Sequence, residues 1–425
     1  MVDNRIETRR PDGLPRVVVT GIGAVSPFGV GVDALWAGAS GGHSAGRTIT
    51  HFDLTGHKVH IACEVPEFDP QDFMDAKAAR RMERFSQLGV AAGRLAVADA
   101  ELPLDHPDRI GVIVASGVGG LQIFTEQAII LGERGPDRVS PLFIPTMIAN
   151  MAAAHVSMQI GLGGPLSCAT TACASGNHAI GDAMDHIRLG RADVMLAGGA
   201  EAAITPIGIA AFANMKALST RNDDPATASR PFDVDRDGFV MGEAGAVLVL
   251  ESMEHALDRG ARIYCEVGGY GLSGDAHHIT EPDQTGRAPA RAMLMSLSDA
   301  GVAPDELDYV NVHGTSTPVG DKSEVRVIQL ALGVEKAQAT MVSSTKSMHG
   351  HCLGAAGGLE AAITTLAIHH GVVPPTINVA NLDAECVGVD HVLATARAAE
   401  LNVAVTNGFG FGGHNASIAL LRHGR

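Results

Sequence analysis

Apolar positions recur along this chain in two registers. Six runs are mostly apolar on both faces: RVVVTGIGAV (16–25), RIGVIVASGVGG (109–120), ADVMLAGGAEA (192–202), AVLVLES (246–252), LDYVNVHGT (307–315) and VAVTNGFGFGG (403–413). Continuous apolar runs that close on glycine suit strands buried between helical layers, not strands with one wet face. Between them the spacing changes to i, i+3, i+4, i+7. Ile180, Ala183, Met184 and Ile187 form one such stripe; Leu359, Ala362, Ile363 and Leu366 form another. Each stripe follows a small-residue segment that carries a reactive side chain, Cys173 in one and His351 in the other. The pattern predicts an α/β protein built from two similar halves with a site between them. No Ser/Pro-rich linker separates the halves, so they are expected to pack as one body.

Composition narrows the classes. A length of 425 residues fits one large α/β unit or two domains. The net charge of −16 disfavours nucleic acid and anionic membrane as partners. No run reaches the ~18 apolar residues of a spanning helix. The pair Arg9-Arg10 ahead of the apolar run superficially suggests an export signal, but Pro11, Asp12, Gly13 and Pro15 intervene, so residues 1–15 are expected to be a flexible tail. Six scattered cysteines without a C-x-x-C pair point to a reducing compartment, taken as the cytoplasm, and not to a disulfide framework.

Four segments carry chemistry. In TACASG (171–176), Cys173 stands just before a predicted helix, with Ser175 and Gly176 as capping and turn residues. Free N–H groups and the helix dipole there favour a thiolate and can hold an oxyanion. In VNVHGTSTPVGDKSE (310–324), a strand delivers His313 at its C-terminal end, with Thr315 and Thr317 behind it. SSTKSMHGHCLGAAGGLE (343–360) holds Lys346, His349 and His351; H-x-H lacks a third ligand at a metal-site spacing, so no metal is expected. TNGFGFGGHN (406–415) surrounds Phe409 and Phe411 with glycines and reads as a mobile turn between two strands. TGIGAVSP (20–27) is a weak echo of a dinucleotide-binding loop, without the acidic partner such a loop needs. Taken singly, each segment also has an ordinary explanation: a buried cysteine, a satisfied loop histidine, a glycine-rich hairpin.

Together and in this order, the four segments resemble the β-ketoacyl-[acyl carrier protein] synthases, most of all the type II elongating enzyme. KALSTRNDDP (216–225) and RPFDVDRDGFVMGEAG (230–245) match as well, and the resemblance runs from about Arg16 to Leu421. It implies a thiolase fold, with two similar halves in αβαβα layers, divided at 16–260 and 261–425, and a homodimer. It implies that Cys173 takes an acyl group as a thioester, with the N–H groups of Cys173 and Phe411 as oxyanion hole. His313 and His351 then assist malonyl decarboxylation. Lys346 would act electrostatically, with Glu360 as its partner beside the substrate site. Phe411 would gate, Thr315 and Thr317 would bind the pantetheine arm, and Val118 and Phe409 would line the acyl path. No cofactor is implied, because the substrates carry the phosphopantetheine arm of acyl carrier protein. The carrier is acidic, so docking needs a local basic patch. Lys77, Arg80, Arg81 and Arg84 supply one, and Arg134, Arg138, Lys216 and Arg221 are added by the resemblance. Substitutions at His349, Cys352 and His414 depart from the usual pattern and are expected to add polarity and a thiol near the site. A polyketide or specialised-lipid ketosynthase would share these motifs. A chain-length-factor-like partner subunit would lack Cys173, and a degradative thiolase would need a cysteine later than Cys386.

Overall fold

The computed structural model describes residues 7–425. Of the tail expected at 1–15, residues 1–6 lie outside them. Residues 7–15 make a turn in which Arg10 donates to Gly268 O and to Asp299.

Five strands build each half. In the first, β1 (Val17–Ser26), β2 (Ile110–Ala115), β3 (Leu166–Ser167), β4 (Val194–Glu201) and β5 (Ala244–Ser252) lie in the order β1-β5-β4-β2-β3. In the second, β6 (Cys265–Gly274), β7 (Tyr309–Asn311), β8 (Met341–Ser343), β10 (Val403–Gly410) and β11 (His414–Leu421) lie in the order β6-β11-β10-β7-β8, with β9 (Asp390–His391) on the outer edge. The pairings repeat as well as the order. Two antiparallel pairs are followed by two parallel pairs in both halves. Even the irregularities correspond: the first pair of each half carries a register shift, at Val19/Gly21 and at Ala419/Leu420. The halves join where Val17–Val19 of β1 pair antiparallel with Cys265–Val267 of β6.

Helices fill three layers around the two sheets. On one outer face, α1 (Arg84–Asp99) covers β1, β5 and β4. The other helices of this half are α2 (Leu121–Arg134), α3 (Met151–Ile160), α4 (Ser175–Arg188) and α5 (Pro206–Asn214). On the other outer face, α6 (Arg287–Asp299) covers β6 and β11, beside α7 (Gly320–Leu332). Between the sheets, α4 packs against α8 (Ala356–His370). These are the αβαβα layers of the thiolase fold. The two stripes read from the sequence, Ile180 to Ile187 and Leu359 to Leu366, meet in one buried cluster of this middle layer.

The glycines of TGIGAV have a packing reason. A Cβ at Gly23 would stand 1.9 Å from Ala92 O of α1. In the second half, a Cβ at Gly271 would stand 1.9 Å from Ala292 O of α6. Each outer helix presses its backbone onto a glycine of its sheet, and no ligand is needed to account for the motif.

Candidate active site

Three segments from both halves place the reactive groups. Cys173 ends the loop into α4, and its predecessor Ala172 has φ 50, a strained value for a residue with a side chain. His351 lies before α8, where Leu353 has φ 46. In both cases the left-handed residue stands three positions before the helix begins. His313 follows β7. A donor atom from each of Cys173, His313 and His351 falls within 4.8 Å of the others. The two imidazoles stand edge to face, with ring centroids 5.3 Å apart.

Each group is held from outside. The backbone N–H groups of His313 and Gly314 donate to the two carboxylate oxygens of Glu324, both at 2.7 Å. His351 is threaded between Val240 and Gly242: its N–H donates to Val240 O at 2.7 Å and its carbonyl accepts from Gly242 at 2.9 Å. The Phe239 ring stands edge-on to His351 at 5.2 Å. Ser175 does not cap α4; its hydroxyl ties the loop instead, accepting from Thr171 N–H and donating to Ala172 O. The Phe411 backbone N–H lies on the Cys173 side of its turn and pulls the thiol down, a smaller effect than burial.

Electrostatics leaves these groups uncharged at rest. Burial pushes the Cys173 thiol up to about 12, against the pull of Lys346. The helix end therefore does not by itself produce a standing thiolate, as the sequence had suggested; desolvation outweighs it. Burial first, then the Lys346 ammonium, holds both His313 and His351 well below the usual imidazole range. Lys346 forms an ion pair with Glu360 at 2.5 Å, with both side chains 1% exposed. Burial raises Glu360 and Glu324 to about 7. The ensemble is a neutral thiol and two neutral imidazoles beside a fixed ammonium, ready to favour negative charge as it develops.

A cavity of about 380 Å³ opens onto this set. Thr315, Thr317, Phe409, Phe411, Lys216 and Glu324 line it with the three reactive side chains. The hydroxyls of Thr315 and Thr317 are 3.1 Å apart. The Phe411 turn is latched by Gly412 N–H donating to Ile279 O and Asp275 N–H donating to Gly413 O.

Several expected residues sit elsewhere. Glu360 does not touch the cavity; its carboxylate is spent on Lys346 beneath the floor. Val118 is 42% exposed and off the cavity, because its loop is drawn to the surface side of Glu201, which accepts from Ser116 Oγ, Gly117 N–H, Val118 N–H and Gly354 N–H. His349 and Cys352 are wholly buried away from the cavity: His349 Nε2 meets Thr345 Oγ1 at 3.0 Å, and Cys352 packs against Gly242. His414 is exposed beside His178, with ring centroids 6.5 Å apart. In the basic segment, Lys77, Arg80 and Arg81 are exposed, as is Arg138, whereas Arg84 turns inward to Glu243 at 2.7 Å and Arg221 is half-buried. Cys173, distant in sequence, brings a third donor atom within 4.8 Å of those of His313 and His351, which the H-x-H spacing alone did not show. Glu324 and Glu201 were not singled out from the sequence. Glu201 closes β4 at its C-terminal end, the same position that drew attention to His313.

Comparison with known proteins agrees with this geometry. Residues 15–256 match the family model "Beta-ketoacyl synthase, N-terminal domain", and residues 264–380 match its C-terminal counterpart. The chain is 48% identical over 410 residues to the 3-oxoacyl-[acyl-carrier-protein] synthase 2 of Synechocystis sp., covering 96% of this chain and 98% of that one. It is 47% identical to the protein of the same name from Staphylococcus aureus, covering 94% and 97%. Among solved structures, a β-ketoacyl synthase from Burkholderia phymatum superposes with a TM-score of 0.89 at 36% identity, covering 96% of this chain and 99% of that one. A ketosynthase of a type II polyketide system, solved with its acyl-carrier protein, superposes at 0.88 with 33% identity, covering 96% and 100%.

Proposed function

Because the chain belongs to the β-ketoacyl synthase family, we propose that it is an elongating 3-oxoacyl-[acyl-carrier-protein] synthase, which extends a carrier-bound acyl chain by decarboxylative Claisen condensation. The convergence of Cys173, His313 and His351 within 4.8 Å carries this reading. The Cys173 sulfur attacks the acyl thioester, the carrier thiol leaves with the proton, and the chain rests on Cys173. The N–H groups of Cys173 and Phe411 stabilise the oxyanion. Malonyl carrier protein enters next. Its carboxylate leaves as carbon dioxide, and His313 and His351 donate to the enolate oxygen that forms. Neutral imidazoles suit this role, since each can donate an N–H to the developing oxyanion without needing a full positive charge. The enolate carbon attacks the Cys173 thioester and releases the thiolate, which regains a proton. Lys346 supports every anionic stage from below the floor.

The carrier's phosphopantetheine arm enters past Thr315 and Thr317, and its acidic surface meets Lys77, Arg80, Arg81, Arg138 and Lys216. The enzyme is a dimer of identical chains. It works in the cytoplasm, in keeping with six cysteines that are all free. The relatives named 3-oxoacyl-[acyl-carrier-protein] synthase 2 at 47–48% identity, against 33% for the polyketide enzyme, favour fatty-acid elongation. Cys173 argues against a non-catalytic partner subunit.

Mass spectrometry tests the core of it. Incubation with acyl carrier proteins should add one acyl mass to the enzyme and none to Cys173→Ala; acylation of that variant would sink the assignment. His313→Ala and His351→Ala should each slow malonyl decarboxylation by roughly two to four orders of magnitude.

A further inference from the structure

We propose that the acyl-free active site is also a binding site for one soft divalent cation, Zn²⁺ or Co²⁺, held by the Cys173 thiolate and one ring nitrogen each of His313 and His351, and that its occupancy blocks condensation. The three donors come from three separate segments and lie within 4.8 Å of one another. In a tetrahedral site with Zn–S of about 2.3 Å and Zn–N of about 2.0–2.1 Å, such donors stand roughly 3.3–3.6 Å apart. A small rotation of each side chain toward the common centre covers the difference. Neither His313 Nδ1 nor His351 Nδ1 has a hydrogen-bond partner among the described residues. The cavity leaves the fourth position to water.

Charge and softness favour the same ion. One thiolate and two imidazoles form a donor set that selects Zn²⁺ or Co²⁺ over Mg²⁺ or Ca²⁺. The nearest competing cation, Lys346, is paired with Glu360, and the Glu324 carboxylate lies on the same cavity wall. Binding exchanges one proton: the Cys173 S–H bond breaks, a sulfur–metal bond forms, and the proton passes to solvent. No electron is transferred. The ion would occupy the nucleophile and both histidines together, so neither acyl transfer nor decarboxylation could proceed. Coordination rests on geometry alone, whereas the loss of activity rests on the condensation reading.

The test titrates acyl-free enzyme with Co²⁺. One equivalent should produce a thiolate-to-cobalt charge-transfer band and the visible bands of a four-coordinate ion, both erased by Zn²⁺. The band should be missing in Cys173→Ala, in His351→Ala and in wild type acylated at Cys173, with circular dichroism showing that the variants are folded. Zn²⁺ should cut condensation at least tenfold and a chelator should restore it. Absence of the band in wild type, or its persistence in Cys173→Ala, would overturn the site. A Cys173-dependent band with undiminished condensation would establish coordination and overturn the block on condensation.

Discussion

At the scale of single residues, His349 shows what burial does to a titratable group. Its ring is fully enclosed, with Phe28 edge-on at 6.2 Å and Thr345 on Nε2. Burial, and secondarily the Lys346 charge, hold it down to about 3. In the unfolded chain the same ring titrates near 6.5. Between those values the unfolded state carries a proton that the native state does not, so His349 subtracts stability as pH falls below 6.5. The slope approaches about 1.4 kcal/mol per pH unit. In His349→Thr this loss disappears. Chemical denaturation should therefore show the variant gaining roughly 2 kcal/mol on wild type between pH 7.5 and 5. Since His349 does not line the cavity, kcat should stay within a few-fold of wild type. The sequence put His349 beside His351 and so near the chemistry. The turn of Lys346–His349 points the two rings to different sides, and a tripeptide spacing cannot show that.

At the scale of elements, the site depends on how closely α4 and α8 approach. A Cβ at Gly176 would lie 2.5 Å from Gly358 N, and one at Gly357 would lie 2.2 Å from Asn177 Oδ1. Cys173 and His351 lie just ahead of these two helices, so this glycine contact helps set the distance between their side chains. Gly357→Ala should push the helices apart at about 1–3 kcal/mol of stability. It should lower kcat at least tenfold, while the KM for acyl carrier moves less, because the cavity mouth lies elsewhere. Gly132→Ala in α2, where a Cβ meets nothing within 4 Å, is the matched control and should be neutral or slightly stabilising. Strands, stripes and reactive residues were legible because each follows from local periodicity or a short motif. The doubled pairing pattern and the helix crossing were not, since they arise largely from contacts between segments distant in sequence. Glu201 escaped for the same reason: three segments meet at its carboxylate, and only one of them is its own.

At the scale of the whole molecule, two contacts with other chains should respond oppositely to salt. The strand β3 pairs with β2 on one side and leaves its other edge open. On this strand and on the helices of the same half, Leu166, Met158, Ile144, Ile129 and Leu131 are each at least half exposed. An open edge framed by large apolar side chains suits a second copy of the chain, strand to strand across β3. That pairing would also bring Val118 and its loop close to cover. Each copy carries −16, so charge opposes association and apolar burial drives it. Raising salt shortens the Debye length from about 30 Å at 0.01 M to about 10 Å at 0.1 M and should tighten the dimer. The carrier contact behaves the other way, since Lys77, Arg80 and Arg81 attract an acidic partner and salt weakens them. Light scattering after gel filtration should give twice the chain mass at micromolar concentration, with Ile144→Asp or Leu166→Lys shifting it toward one. Reversing Lys77, Arg80 and Arg81 to Glu should raise the KM for carrier at least tenfold at low salt and leave the mass unchanged. A wild-type monomer would remove the dimer, and an unchanged KM would remove the patch; because the substitutions lie on separate segments, either result leaves the other standing.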